Sequence, residues 1–458
     1  MMSFTFNYDQ KKMKKFLNIS LLSLVALTTL SLGSCKNEVD EIFDEDAVAR
    51  LDQAKADFIN ILTNNGAPNG GKWQMEYYAN ANEPGYVYLM TFRPDGSVTI
   101  SGKNEWIGSV DGESLKVPVY GSQTSLWDVI TDNGPVLSLN SYNKYFHVFA
   151  SPEDIPSMSD EDPDETGYGH EGDYEFDLMK YSNDTLYITG KKYGIDMIMT
   201  RVDDGIDDEV YMNEVVAMAD SFFNAKIPQV YINLPNGVRW IVKNGATSLL
   251  KMFREGADEI STAETHNVII THDGLSFMNP VTIDGYTIKN FIRQADGSLL
   301  CRDDNETTIT ADNLNNVFMI ETFAWKADTT LVGGVFKANL NDLRTQLNAY
   351  GKRKLSSVQI AYNTTLGVYG VDFSCLYGKS TFHPTFYMTA EAVGENQIKF
   401  HYTGEGNAAS GVYAERCPAF LDFMNNLSSM TFTLETPSLL APVEMKLSDG
   451  GNILYFKL

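Results

Sequence analysis

The chain has 458 residues, with 35 lysines and arginines against 60 aspartates and glutamates and a net charge of −25. A body this acidic repels phosphate backbones and anionic lipid, which excludes nucleic-acid binding and purely electrostatic attachment to a membrane. Hydrophobic residues at 43% and aromatics at 12% supply ample core material, which excludes a disordered polyacid.

The N-terminal segment carries an address. Lys11, Lys12, Lys14 and Lys15 precede an apolar run from Phe16 to Leu32, and Leu32-Gly33-Ser34 leads into Cys35. A charged n-region, an h-region and small residues before a cysteine form the layout of a bacterial lipoprotein signal. The run of 17 residues, interrupted by Asn18, falls short of the roughly 20 apolar residues of a spanning helix. Four lysines immediately upstream do not fit a core helix, and an ordinary secretory leader requires no cysteine at this place. Met13 is an alternative start. Residues 1–34 are therefore expected to be removed and Cys35 to be lipidated, which locates the protein at the outer membrane. Each buried CH₂ contributes about 0.8 kcal/mol, so two or more acyl chains hold a soluble body on a bilayer. The leader carries four lysines and one aspartate, so its loss takes the charge from −25 to −28 and leaves the lipid as the whole attachment. Residues 35–46 form an acidic tether. Glu38, Asp40 and Glu41 resemble the surface-export signal of Bacteroidetes lipoproteins; the competing reading is a solvated spacer.

The 424 residues after the leader exceed what one core organises. Val48, Leu51, Phe58 and Leu62 recur at helical spacing, with Gly66 past the end. From Trp73 the period becomes two. Gln74–Tyr78, Tyr86–Phe92, Val98–Ile100, Leu137–Leu139, Tyr145–Ala150, Tyr174–Met179, Thr185–Thr189 and Met197–Arg201 all read as strands, with Pro94-Asp95-Gly96 as a hairpin turn. Asp203, Asp204, Asp207, Asp208 and Glu209 then open a second helix bearing Val210, Val215, Met218 and Phe222. Trp240 follows, with turns at Asn236-Gly237, Asp273-Gly274, Asp284-Gly285 and Asp296-Gly297. A helix near Ala338–Tyr350, strands from Ser356 to Phe400, a helix near Glu415–Leu427 and closing strands complete the chain. The expected fold is mainly β with a few helices: lipocalin-like β-barrel or sandwich units, two in number, each preceded by a helix. The units are 47–203 and 204–458, with a candidate division of the second near 330. The repeated order of helix, tryptophan strand and Asp-Gly hairpins reads as a duplication, with Trp73 and Trp240 at the barrel bases.

Chemistry-bearing patterns are sparse. Asp160, Asp162, Asp164 and Glu171 imitate the spacing of a calcium loop, but Glu165 stands where that loop needs glycine and Pro163 stiffens its middle. The surrounding segment, 153–177, holds eleven acids in twenty-five residues and reads as an exposed loop. The histidines (His147, His170, His266, His272, His383, His401) show no metal-ligand spacing, and His170 beside Glu171 and Asp173 reads as a surface residue. Ser141 to Lys144 matches S-x-x-K without its companion motifs, and Gly378-Lys379-Ser380 lacks the upstream glycine of a phosphate loop, where Phe373 stands. Cys301, Cys375 and Cys417 allow at most one bridge, and no CxxC occurs. No cofactor is expected and no catalytic signature emerges, so the chain reads as a non-enzyme. Trp106, Trp127, Tyr86 and Tyr88 are the candidate ligand-binding residues, as an aromatic platform or barrel mouth.

Gly71-Lys72-Trp73 followed by Phe92-Arg93-Pro94-Asp95-Gly96 resembles the lipocalin-like domains of Bacteroidetes lipoproteins. Gly134-Pro135-Val136-Leu137 through Tyr142-Asn143, His147, Gly172-Asp173-Tyr174-Glu175-Phe176 and Gly190-Lys191-Lys192 extend the resemblance to a Bacteroidetes envelope lipoprotein family of unknown function. The resemblance implies a cell-envelope lipoprotein encoded beside TonB-dependent uptake systems, and it carries no catalytic residue. Asp184-Thr185-Leu186 and Asp328-Thr329-Thr330 resemble the O-glycosylation motif of that phylum. The expected function is non-catalytic binding of a glycan or peptide as an accessory to nutrient uptake. An envelope scaffold without a small ligand and a carboxylate-based hydrolase are the alternatives.

Overall fold

The computed structural model describes residues 46–110, 117–150, 170–223, 226–244 and 249–458. The leader, Cys35 and the carboxylates of the calcium-like spacing from Asp160 to Asp164 lie outside the described residues. Of the two compact units, Met1–Ala54 and Lys55–Leu458, the first contributes only its last residues, including the start of helix α1 (Ala47–Leu62).

Within Lys55–Leu458 the protein is mainly β, built on three sheets of nine strands each. The first contains β1 (Gly71–Tyr78), β2 (Gly85–Phe92), β3 (Ser97–Asn104), β4 (Val119–Leu126), β5 (Asp128–Thr131), β6 (Pro135–Ser138), β7 (Glu175–Ser182), β8 (Thr185–Gly190) and β9 (Asp196–Arg201). Two short helices, α2 (Glu105–Val110) and α3 (Lys144–His147), interrupt it. Helix α4 (Asp208–Phe222) leads into the second sheet, opened by β10 (Val230–Asn233), β11 (Arg239–Asn244) and β12 (Leu250–Arg254). After helix α5 (Glu259–Thr262) come β13 (Glu264–His266), β14 (Val268–Ile270), β15 (Gly274–Ile283), β16 (Tyr286–Arg293), β17 (Leu299–Cys301) and β18 (Thr308–Thr310).

These two sheets share one topology. Each is an antiparallel meander whose first strand pairs with its last, β1 with β9 and β10 with β18. Each is open at the same seam, between its fourth and fifth strands, where a single residue (Trp127 or Asn267) separates the two edges. The likeness anticipated from the repeated sequence order thus extends to strand pairing.

Helix α6 (Leu314–Phe318) precedes the third sheet, which runs from β19 (Ala324–Ala327) through helix α7 (Gly334–Ala349) to β20 (Lys354–Asn363) and β21 (Val368–Tyr377). It continues with β22 (Ser380–Phe382), β23 (Thr385–Ala392) and β24 (Gln397–Glu405). Helices α8 (Ala408–Arg416) and α9 (Ala419–Ser429) then lead to β25 (Thr431–Glu435), β26 (Glu444–Asp449) and β27 (Asn452–Lys457). Pairing of β20 with β21 closes eight of these strands into a barrel, leaving β22 appended to β21. Closure removes the unpaired edges that an open sheet exposes. Phe336 of α7 and Phe423 of α9 meet at 5.2 Å within its core.

Local chemistry explains the elements. Asp207 caps α4, its side chain accepting from Val210 N at 2.9 Å. The hairpin between β15 and β16 turns on Asp284 and Gly285, whose φ values of 44° and 87° match the right-handed twist of the flanking strands. Segment Tyr145–Ala150 is not the expected strand: Asn143 caps a helical turn by accepting from Tyr145 N at 3.2 Å. That turn drops Phe146 and Phe149, three apart, into the first sheet's core.

The tryptophan at the base of the helix-then-strand unit also needs correction. Trp73 donates from Nε1 to the Leu62 carbonyl at 3.0 Å, tying β1 to the end of α1. Its counterpart is Trp325, which donates to the Phe318 carbonyl of α6 at 2.9 Å. Trp240 instead lies on the second strand of its sheet, half-buried, bonded to Asp284 Oδ2 at 2.6 Å. Cys301, Cys375 and Cys417 are all buried free thiols. Burial pushes the Cys375 thiol up to about 12, which keeps it protonated and inert. Among the described residues no helix is long and apolar enough to cross a membrane.

Candidate functional site

Strand β1 organises the site because it is buried on both faces along its whole length. Trp73, Met75 and Tyr77 point into the first sheet's core, so the period-two rule sends Gln74, Glu76 and Tyr78 outward. An outward face is ordinarily solvated. Here it is covered by α4 and by the second sheet: Tyr211 of α4 donates to Gln74 Oε1 at 2.5 Å. Lys72 also reaches Asp208 Oδ1 at 2.7 Å. The approach of the two sheets is close enough that a Cβ on Gly85 would lie 2.7 Å from Cβ of Ile269, so this position admits only glycine without displacement.

Beside this contact the sheets diverge and leave a cleft of about 1240 Å³. Strands β1, β7, β8 and β9 form one wall, and β15, β16 and the turn at His272-Asp273 form the other. Glu76 sits on its inner face with 9% of its surface exposed. Burial raises its carboxyl from 4.5 to about 7, against the pull of Lys289 and helped by the negative charge of Asp273. Tyr211 packs at 4.5 Å, tilted by 38°, against the ring of His272, whose buried Nδ1 makes no hydrogen bond and lies 3.6 Å from Asp273 Oδ1.

The charge balance of the cleft departs from that of the chain. Lys180, Arg201, Lys289 and Arg302 line it, against Glu76, Asp196 and Asp273. Arg201 is engaged by Asp204 at 2.6 Å and by backbone carbonyls. Asp196 accepts from Thr189, and Asp273 from Thr271, at 2.7 and 2.9 Å. Lys180, Lys289 and Arg302 make no ion pair among the described residues.

The aromatic residues singled out from the sequence do not form a common platform. Tyr86, Tyr88 and Trp106 do come together: Trp106 Nε1 donates to Tyr86 Oη at 2.7 Å, and Tyr86 and Tyr88 both pack on Phe149. Tyr88, however, is wholly buried, with Oη donating to the Tyr145 carbonyl at 2.8 Å. With Tyr77, Phe146 and Phe176 these rings fill the interior of the first sheet. Trp127 packs on Phe92 at 5.0 Å, and its Nε1 bonds to the Arg93 carbonyl near the Pro94 turn. Among the described residues, the interior of this sheet is filled by these rings.

His170 is likewise buried, not a surface residue. Its Nδ1 is hydrogen-bonded to the Glu83 carboxylate, which also accepts from Asn80 at 2.6 Å, and its ring lies 4.5 Å from that of Trp106. Its chain neighbour Asp173 turns elsewhere and accepts from the backbone N–H groups of Lys192 and Tyr193 at 2.9 and 3.0 Å. No group of three metal-ligating side chains occurs among the described residues.

Fold and cleft together define a mainly-β protein of several barrel-like units with a polar inter-sheet groove. The chain belongs to the domain of unknown function family DUF4302, whose model matches residues 39–295. That span contains the first sheet and most of the second, and with them both walls of the cleft except Arg302. No curated protein matches the chain. Among solved structures, the DNA polymerase III subunit beta sliding clamp of Bartonella birtlesii aligns over 88% of this chain and 97% of its own. Identity is 9% and the TM-score 0.13, a superposition too poor to carry any argument.

Proposed function

We propose that this protein is a lipoprotein of the outer membrane, acylated at Cys35 and displayed at the cell surface, which binds a ligand without transforming it and serves a TonB-dependent uptake system. One observation carries the binding role: a cleft of about 1240 Å³ with polar, partly unpaired side chains on both walls, beside a first sheet whose interior is full. The leader and Cys35 carry the location. Screening the mature chain on glycan and peptide arrays tests the binding role; a blank on both would leave the scaffold reading in its place. Replacing Cys35 with serine is expected to move the protein from the membrane fraction to the soluble one, since a body of charge −28 has no other hold on anionic lipid. Retention in the membrane fraction would overturn the anchor.

A hydrolase remains the second reading, because Glu76 is raised to about 7 beside Asp273 in the same cleft. A carboxyl held protonated near neutral pH by its burial is suited to act as a general acid. Turnover of aryl glycosides or peptides, abolished by Glu76→Gln, would establish it over simple binding.

A further inference from the structure

From the unpaired cations of the cleft we infer that its ligand is a carboxylate-bearing saccharide, a deepening that rests on the ligand-binding reading above. The chain has 60 acidic side chains for 35 lysines and arginines, so a cation has carboxylate partners in excess. Lys180 on β7, Lys289 on β16 and Arg302 after β17 nonetheless remain without an ion pair among the described residues, and all three line one groove. They approach it from both sheets, so a bound anion can be met from either wall. In a strongly negative protein such a group of cations offers an anion a favourable local field, and walls of low dielectric strengthen it.

The other groups in the groove select the kind of anion. Tyr187 is 43% exposed and has Lys180 Nζ over its ring, 5.6 Å from the centre, so an exposed aromatic edge and a cation stand together. Asn183, Asn279 and Asn290 present amides that both donate and accept, which matches the hydroxyls of a sugar. A peptide in extended form is disfavoured by topology. Strands β8 and β9 are paired with each other and with β7 and β1, so this wall presents no free row of N–H and C=O groups for a peptide strand to join. A ring with a carboxylate and several hydroxyls satisfies all three sets of side chains at once.

The experiment is titration calorimetry of the mature chain with trimers of galacturonate, glucuronate and mannuronate, each paired with its methyl ester. The ester keeps the sugar and removes the charge. At least one trimer is expected to bind, with affinity falling tenfold or more for its ester. The double variant Lys180→Ala, Arg302→Ala is expected to weaken the acid form similarly and the ester little. Both side chains are exposed, so the fold is not at stake. An ester that binds as tightly as its acid overturns the anionic ligand and leaves the binding role standing. No binding by any trimer overturns the acidic saccharide, and only a blank on the arrays as well removes the binding role.

Discussion

Truncating Trp73 to alanine is expected to destabilise the first sheet by about 3–5 kcal/mol, the range for removing a large buried aromatic. The side chain is wholly buried, so the loss combines transfer of the ring from the core with the cavity left behind. Nε1 donates to the Leu62 carbonyl at 3.0 Å, one of the C-terminal groups of α1 that has no partner within its own helix. The Arg201 guanidinium lies 5.8 Å from the ring centre, a further contact that truncation removes. Trp73→Phe keeps most of the volume and loses the hydrogen bond, and is expected to cost about 1–3 kcal/mol. Urea denaturation followed by circular dichroism reads both. Trp325→Ala is expected to match Trp73→Ala in the third sheet, where the same bond runs to Phe318. Trp240→Ala, at a half-buried position with its bond to an exposed turn, is expected to cost less than half as much. Equal losses at Trp240 and Trp73 would mean that Trp240 anchors its sheet as Trp73 does.

That comparison also marks where sequence patterning reaches its limit. Strands with one apolar face, such as β8 and β21, announce themselves through period two, and the Asp-Gly and Asn-Gly turns of the hairpins follow from the backbone that only such residues adopt readily. Strand β4 gives no such signal. Its Ser122 and Thr124 face Ser101 and Thr99 across the ladder at 2.9 Å, a hydroxyl pairing that carries no hydrophobic period. The helix at Lys144–His147 hides in an aromatic run because four residues suffice to bury Phe146, and its cap is a single asparagine. The tryptophans mislead for a different reason: proximity to a helix in sequence does not say which strand follows the helix in space. The cleft is the least legible feature. Gln74 and Glu76 read as the solvated side of an amphipathic strand, and nothing in the sequence says that a second sheet, more than 190 residues further along at Asp273, faces them. The cations Lys289 and Arg302 are distant from Lys180 in sequence and share a groove only after the sheets have formed. Local patterns specify strands; the site arises from the contact between them.

Glu76→Gln is expected to make the protein more stable than the parent at pH 8 and nearly equal to it at pH 4. The Glu76 carboxyl has its folded value raised from 4.5 to about 7, so between those limits the folded chain holds a proton that the unfolded chain has released. Stability contributed by this group is therefore present below about pH 4.5, declines as pH rises, and is lost above about 7. The size is about 3 kcal/mol, the free energy of a shift of roughly two and a half units. The carboxyl is faced by Lys289 from β16, by His272 and Asp273 from the turn before β15, by Tyr211 from α4, and by Gln74 and Tyr78 on its own strand. Only Lys289 opposes the shift, and one half-buried lysine does not offset the loss of water around a carboxylate that is 9% exposed. Glutamine keeps the shape and removes the proton equilibrium, so subtracting parent from variant across pH isolates Glu76 from every other titrating group. Urea midpoints at pH 4, 6 and 8 supply the comparison; a difference that stays constant with pH would mean that Glu76 is not held protonated by its burial. The same proton bears on the ligand. With Glu76 neutral, the cleft lined by Lys289 carries one negative charge fewer, so an acidic saccharide is expected to bind more tightly at pH 6 than at pH 8. Glu76→Gln is expected to abolish that dependence while leaving binding at pH 6 in place.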